Sequence, residues 1–149
     1  EQQVILNGEN VNGVIRKEEV GNMASATSVY PVVRTKLVEL QRQLASKENV
    51  IMDGRDIGTV VLPNANVKIY LTASSAVRAK RRFDDLTAKG VECDIDAIEK
   101  DIIDRDYRDM HRETSPLRQA EDAVLLDSSN LDIDGVVAEM KKIIEGAQR

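Results

Sequence analysis

Apolar and polar positions change rhythm near the first third of the chain. Val4-Ile5-Leu6 and Val14-Ile15 are short apolar runs on either side of Asn7-Gly8-Glu9-Asn10-Val11-Asn12-Gly13. They predict a small antiparallel pair with a glycine- and asparagine-rich turn. Glu18 to Ser28 reads as a short helix, and Pro31 suits the first turn of a second one. In that second helix Val33, Leu37, Leu40 and Leu44 recur at helical spacing and predict one buried stripe. Lys47-Glu48-Asn49 then breaks the pattern. Beyond it, strand-like runs at Val50-Ile51-Met52, Val67 to Leu71 and Ala123 to Asp127 alternate with helical segments. Ser74 or Ser75 caps a helix to about Lys89, with Gly90 as its stop, and Asp94 caps another to about Arg112. A last helix, Asp132 to Glu145, is expected to bury Ile133, Val136, Val137, Met140 and Ile144. Strands alternating with helices predict an α/β fold with a parallel sheet. A small α/β unit over residues 1–47 and a layered unit over 48–149 follow.

The composition narrows the function more by exclusion than by assignment. Hydrophobic residues make up 42% and charged residues 32% of the 149, which is ordinary for a globular domain. No apolar run approaches the roughly 20 residues of a membrane-spanning helix. Glu1-Gln2-Gln3 carries no basic segment or apolar core, so no secretory signal is expected. One cysteine, Cys93, excludes an internal disulfide, and one histidine, His111, excludes a histidine-rich metal centre. A net charge of −5 and four aromatic residues argue against nucleic-acid or membrane binding. Against that background arginine outnumbers lysine twelve to nine, and seven arginines fall between Arg78 and Arg118. Arginine's planar fork suits phosphate and carboxylate, while a solvated helix face would have the same composition.

Position separates those alternatives at two places. Asp53-Gly54-Arg55-Asp56 directly follows an apolar run, and in open parallel sheets ligands sit beyond the carboxyl ends of strands. The second place is the helix from Asp94. Its apolar stripe of Ile95, Ile98 and Ile102, continued at the same rhythm, arrives at Arg105, Asp109 and Arg112. A core-facing stripe that turns charged halfway along suggests a helix leaving the core to line a cleft, where an anionic ligand or an ion-pair network would satisfy it. Arg78, Arg81 and Arg82 form a third cationic group, which spacing alone makes a solvated surface, and Ser25 with Arg34 flanks the proline-marked helix start, where Ser25 is by default an ordinary helix residue. Gly8 and Gly13 have the glycine spacing of a phosphate-binding loop, but Val14 and Ile15 follow in place of lysine and a hydroxyl residue.

The segment from Ile51 to Pro63, Ile-Met-Asp-Gly-Arg-Asp-Ile-Gly-Thr-Val-Val-Leu-Pro, resembles the central signature of bacterial cytidylate kinases. Val67-Lys68-Ile69-Tyr70-Leu71, Arg78-Ala79-Lys80-Arg81-Arg82 and Arg105-Asp106-Tyr107-Arg108-Asp109 follow as in that family, and residues 8–34 resemble its nucleoside-monophosphate-binding insert. The resemblance implies a P-loop kinase core of three layers around a parallel sheet, with residues 1–47 as the insert and a short lid around 78–92. It implies a cytoplasmic enzyme that transfers the γ-phosphoryl group of ATP, with Mg²⁺, to CMP or dCMP. Carried over by position, Ser25, Arg34 and Asp56 would read cytosine, Arg105 and Asp109 would hold the sugar, and Arg55 and Arg112 would clamp the monophosphate. Arg78, Arg81 and Arg82 would be the lid arginines at the transferring phosphoryl group. A non-catalytic nucleotide-binding module of the same fold is the alternative. The family's phosphate-binding loop and its strand are not among these residues. That strand would lie between those at Val50–Met52 and Val67–Leu71, so a disturbed sheet, or one completed by another chain or segment, is expected.

Overall fold

The computed structural model describes residues 3–28 and 30–147, without the side chains of Glu18, Asn22 and Ser25. It divides into two compact units, residues 1–50 and 51–149.

In the first unit strand β1 (Ile5–Leu6) pairs antiparallel with β2 (Glu9–Asn10), Ile5 opposite Asn10 and Leu6 opposite Glu9. The expected partner was Val14-Ile15; those residues instead lie in a turn series. The reason is local. Asn7 and Gly8 both take positive φ, 51° and 88°, which makes a two-residue reversal whose twist matches the strands. The chain therefore returns immediately after Gly8, and the register is set before Val14 is reached. Asn12 extends the hairpin, its side-chain oxygen accepting from the Val4 amide at 2.7 Å. Helices α1 (Glu18–Thr27) and α2 (Pro31–Ala45) follow, with Pro31 in the first turn. The α2 stripe of Val33, Leu37, Leu40 and Leu44 is exposed rather than buried. A two-stranded hairpin and one ten-residue helix are too little surface to cover it.

The second unit begins with a further departure. Val50-Ile51-Met52 forms no strand, and Ile51 is 97% exposed. A strand exists only through a neighbour that accepts its backbone hydrogen bonds, and none of the described residues offers one there. The sheet of this unit has two parallel strands, β3 (Ile69–Thr72) and β4 (Val124–Asp127), with Leu71 opposite Leu126. Between Met52 and β3 runs a π-helical turn, Ile57–Val61, in which the Val61 and Leu62 amides reach back five residues to the carbonyls of Asp56 (3.2 Å) and Ile57 (2.7 Å). Such wide turns are found mostly as isolated single turns, frequently at functional sites.

Three helices complete the unit. The Ser74 hydroxyl caps α3 (Ser75–Ala88) by accepting from the Val77 amide, and the Asp94 carboxylate caps α4 (Ile95–His111) from the Ala97 amide at 2.7 Å. Helix α5 (Ile133–Ala147) leaves Ile133 and Val137 exposed and half-buries Val136, Met140 and Ile144, so its apolar face is less covered than its periodicity predicts. Helices α3 and α4 pack together. The buried apolar residues among those described are Val61, Ala73, Ala79 and Leu126, which come from the π-turn, the link just after β3, α3 and β4.

Two exposed carboxylates tie strand ends. Asp127, at the end of β4, accepts from the hydroxyl (2.6 Å) and amide (2.9 Å) of Ser129, and both hold its pKa below the usual value. The Ser129 hydroxyl in turn accepts from the Ser74 amide at the α3 cap. Asp122 is lowered by its hydrogen bonds from the Lys68 ammonium. A carboxylate whose pKa falls on folding contributes stability above its unfolded value, and that contribution is lost as pH drops through the folded one. Stability is therefore expected to decline on acidification below about pH 4. Thermal melting across that range should show a shallower decline in Asp127→Asn and Asp122→Asn than in the parent.

Candidate functional site

The site-bearing residues of the second unit come from the segment after Met52 and from helices α3 and α4. Helix α4 supplies a charged inner face. Ile98 and Ile102 are half-buried, and the covered face then continues through Asp106 and Asp109 to Arg112 at the helix end. Arg105, expected on that stripe, is exposed, and its side chain makes no hydrogen bond or ion pair among the described residues. The cause is helical geometry: the covered face is centred between the half-buried Glu99 and Ile102, and residue 106 lies closer than residue 105 to that direction.

Asp109 is the centre of one cluster, its side chain only 15% exposed. Its Oδ2 accepts from Arg55 Nε at 3.1 Å, and its Oδ1 lies 3.9 Å from Arg112 Nη1. One carboxylate thus sits between two guanidinium groups. Arg112 is braced from the other side, its Nε donating to the Ser115 carbonyl at 2.8 Å, while the Leu117 amide donates to the Asp109 carbonyl at 2.8 Å. Arg55 is half-exposed, with the rest of its guanidinium available to a ligand. Asp56, the next residue, is buried at the start of the π-turn, its carbonyl accepting from the Val60 amide at 2.8 Å.

A second cluster joins α3 to α4 and to the chain after β4. Arg78 makes a two-pronged pair with Asp106, Nη1 to Oδ1 at 3.1 Å and Nη2 to Oδ2 at 2.5 Å, and these bonds raise its pKa above the ordinary arginine value. Arg81 donates to the Ser128 hydroxyl at 3.3 Å and to the carbonyls of Ser128 (2.6 Å) and Leu131 (3.0 Å). Arg82 is exposed, with no such bond among the described residues. Both clusters border a cleft of about 430 Å³, whose charged lining includes Asp53, Arg55, Lys68, Arg78, Asp106 and Arg118. Cationic groups outnumber carboxylates in that lining, which suits an anionic ligand. No three His, Cys, Asp or Glu side chains among the described residues are grouped to hold a metal ion.

In the first unit Arg34 is half-buried on α2 and its Nη1 lies 3.4 Å from the Ser28 carbonyl. Ser25 falls within α1, and its side chain is outside the described part. Sequence reasoning did not single out Asp106 or Lys68. Asp106 was legible as the residue one step from Arg105 on the α4 face; nothing in the sequence marked Lys68.

The family model described as cytidylate kinase matches residues 1–146. The chain belongs to the cytidylate kinase family. It is 54% identical over all 149 residues to a cytidylate kinase of Lactobacillus gasseri, and equally so to one of Lactobacillus johnsonii. It is 50% identical over 141 residues to a cytidylate kinase of Streptococcus pneumoniae. The chain spans 65% of the length of the two Lactobacillus cytidylate kinases and its match spans 63% of the streptococcal one. Among the described residues no helix is long and apolar enough to cross a membrane.

Proposed function

We propose that these residues form the monophosphate-accepting part of a cytidylate kinase, which moves the γ-phosphoryl group of ATP to CMP or dCMP. The observation that carries this reading is the Arg55–Asp109–Arg112 cluster, in which one buried-side carboxylate spaces two guanidinium groups. Two arginines held apart in this way can grip a phosphate dianion from two directions, each by charge-assisted bonds. Asp109 has lone pairs left for a ribose hydroxyl, and Arg105, exposed one turn away, would complete the sugar contact. A carboxylate accepts the N4 amino group of cytosine, which is the role proposed for Asp56. Ser25 and Arg34 are proposed as base contacts from their family positions. The finer architecture in this reading is a three-layer kinase core, with residues 1–47 as the monophosphate-binding insert.

Arg78, Arg81 and Arg82 are proposed as arginines of a lid around residues 78–92. Phosphoryl transfer depends on positioning and charge neutralisation, so arginines can serve it without a nucleophilic side chain. Arg82 is available as it stands. Arg78 and Arg81 would first exchange their bonds to Asp106 and to the turn at Ser128–Leu131 for bonds to the nucleotide. ATP with Mg²⁺ supplies the phosphoryl group in this chemistry. The residues described do not fit that pair by themselves: no glycine in the chain is followed by lysine, and no metal-ligand cluster is formed.

A polypeptide of these 149 residues is therefore expected to bind CMP without phosphorylating it. Calorimetric titration of CMP, UMP and GMP tests the first half, and a coupled ADP-release assay tests the second. Preference for CMP supports the acceptor assignment; equal or absent binding of all three by folded protein removes it. Retained CMP preference without turnover in a chain that also carries a phosphate-binding loop would favour a non-catalytic binding module instead.

A further inference from the structure

Lys68, the first residue before β3, is a charged side chain that the proposed chemistry does not use, yet it is 7% exposed. A buried ammonium persists only where hydrogen bonds and opposite charge replace water. Here the replacements come from two separate parts of the chain. Lys68 Nζ donates to the carbonyl of Pro63, just beyond the π-turn. It also donates to both carboxylate oxygens of Asp122, at 2.8 and 2.7 Å, in the segment that leads into β4. The stem of the same side chain runs beneath Gly58, where an added Cβ would lie 3.3 Å from the Lys68 Cδ. A side chain at position 58 would make the Lys68 stem give way by a few tenths of an ångström, so Gly58 lets the π-turn and Lys68 pack closely.

We infer that Lys68 is a positioning residue for Arg55 and Asp56, anchoring the π-turn that follows them onto the sheet. The π-turn is pinned just beyond its end by the Lys68–Pro63 bond, at its last residue by the buried Val61, near its start by the Gly58 contact, and at its cap by the buried Asp56. The Asp56 carbonyl receives the Val60 and Val61 amides, so a shift of the turn is passed directly to the residue proposed to read cytosine. The inference deepens the proposed function and rests on it for its functional consequence, but not for its structural one.

The test compares Lys68→Met, Lys68→Arg and Asp122→Asn in the 149-residue chain. Backbone NMR shifts of residues 55–63 report the turn, and CMP and UMP titrations report the site. In Lys68→Met the shifts of residues 55–63 should change, CMP affinity should fall about tenfold, and the preference over UMP should shrink. Lys68→Arg, which can restore both contacts, should recover CMP affinity to within about threefold. Asp122→Asn, altered at an exposed position, should keep the fold and give a smaller change of the same kind, and it decides the matter if Lys68→Met does not fold. A purely structural lysine would lower the melting temperature and leave CMP affinity and base preference unchanged, which overturns the inference. Absence of CMP preference in the parent defeats the proposed function instead; unchanged turn shifts in the variants would then still overturn the positioning role.

Discussion

Asp109→Ala is expected to weaken CMP binding by roughly 30-fold, about 2 kcal/mol, and more than Arg55→Met or Arg112→Met does. Each arginine removed takes away one set of bonds to the phosphate and leaves Asp109 with the other. Removal of the carboxylate leaves two guanidinium groups facing one another without the charge that holds them in place, so both phosphate contacts suffer together. The range for truncating one partner of a buried charge pair extends higher, but Arg55 is half-exposed, and solvent screens part of the loss. Asp109→Asn keeps an acceptor for Arg55 while losing the charge and should fall between the parent and Asp109→Ala. Titration calorimetry at constant salt, with circular dichroism on each variant, measures this order. Unchanged CMP affinity in a folded Asp109→Ala would remove the cluster from the binding site.

Leu126→Ala is expected to cost about 3 kcal/mol of folding stability, against less than about 1 kcal/mol for Leu125→Ala next to it. Leu126 is 8% exposed and Leu125 57%, because successive residues of β4 face opposite sides and only one side is covered. The loss at Leu126 combines the removed apolar contact with the cavity left behind. Few other residues can compensate, since the buried apolar set among the described residues contains Leu126, Val61 and two alanines. For a domain with stability near the low end of the usual 5–15 kcal/mol, such a loss is more than half of the total. Urea denaturation of the two variants side by side gives the comparison. Equal midpoints would show that the β4 face at Leu126 is not part of the folding core.

The helices and the strands β3 and β4 were legible because their signals are local. Ser74 and Asp94 supply caps within three residues of the amides they serve, Pro31 fits only an opening turn, and Gly90 stops α3. The charged continuation of α4 was legible for the same reason: periodicity along one helix is a short-range property. What the local pattern overstated was burial. The stripe on α2 and the apolar face of α5 have the right spacing, but burial needs a second surface, and spacing carries no information about whether one is present. The apolar run Val50-Ile51-Met52 makes the same point for strands, since it has strand composition and no strand partner among the described residues.

By itself, the sequence determined the order of the helices, their capped ends and the family resemblance carried by residues 51–63. Only the tertiary structure decided which charges meet. Arg55 and Asp109 are 54 residues apart, as are Lys68 and Asp122, and Arg78 reaches Asp106 across 28. A chain with twelve arginines and many carboxylates permits a large number of such pairs at nearly equal intrinsic energy. The choice among them falls to the packing of α3 on α4 and the parallel pairing of β3 with β4, which set the distances at which one carboxylate can serve two guanidinium groups and one buried lysine can hold a turn to a sheet.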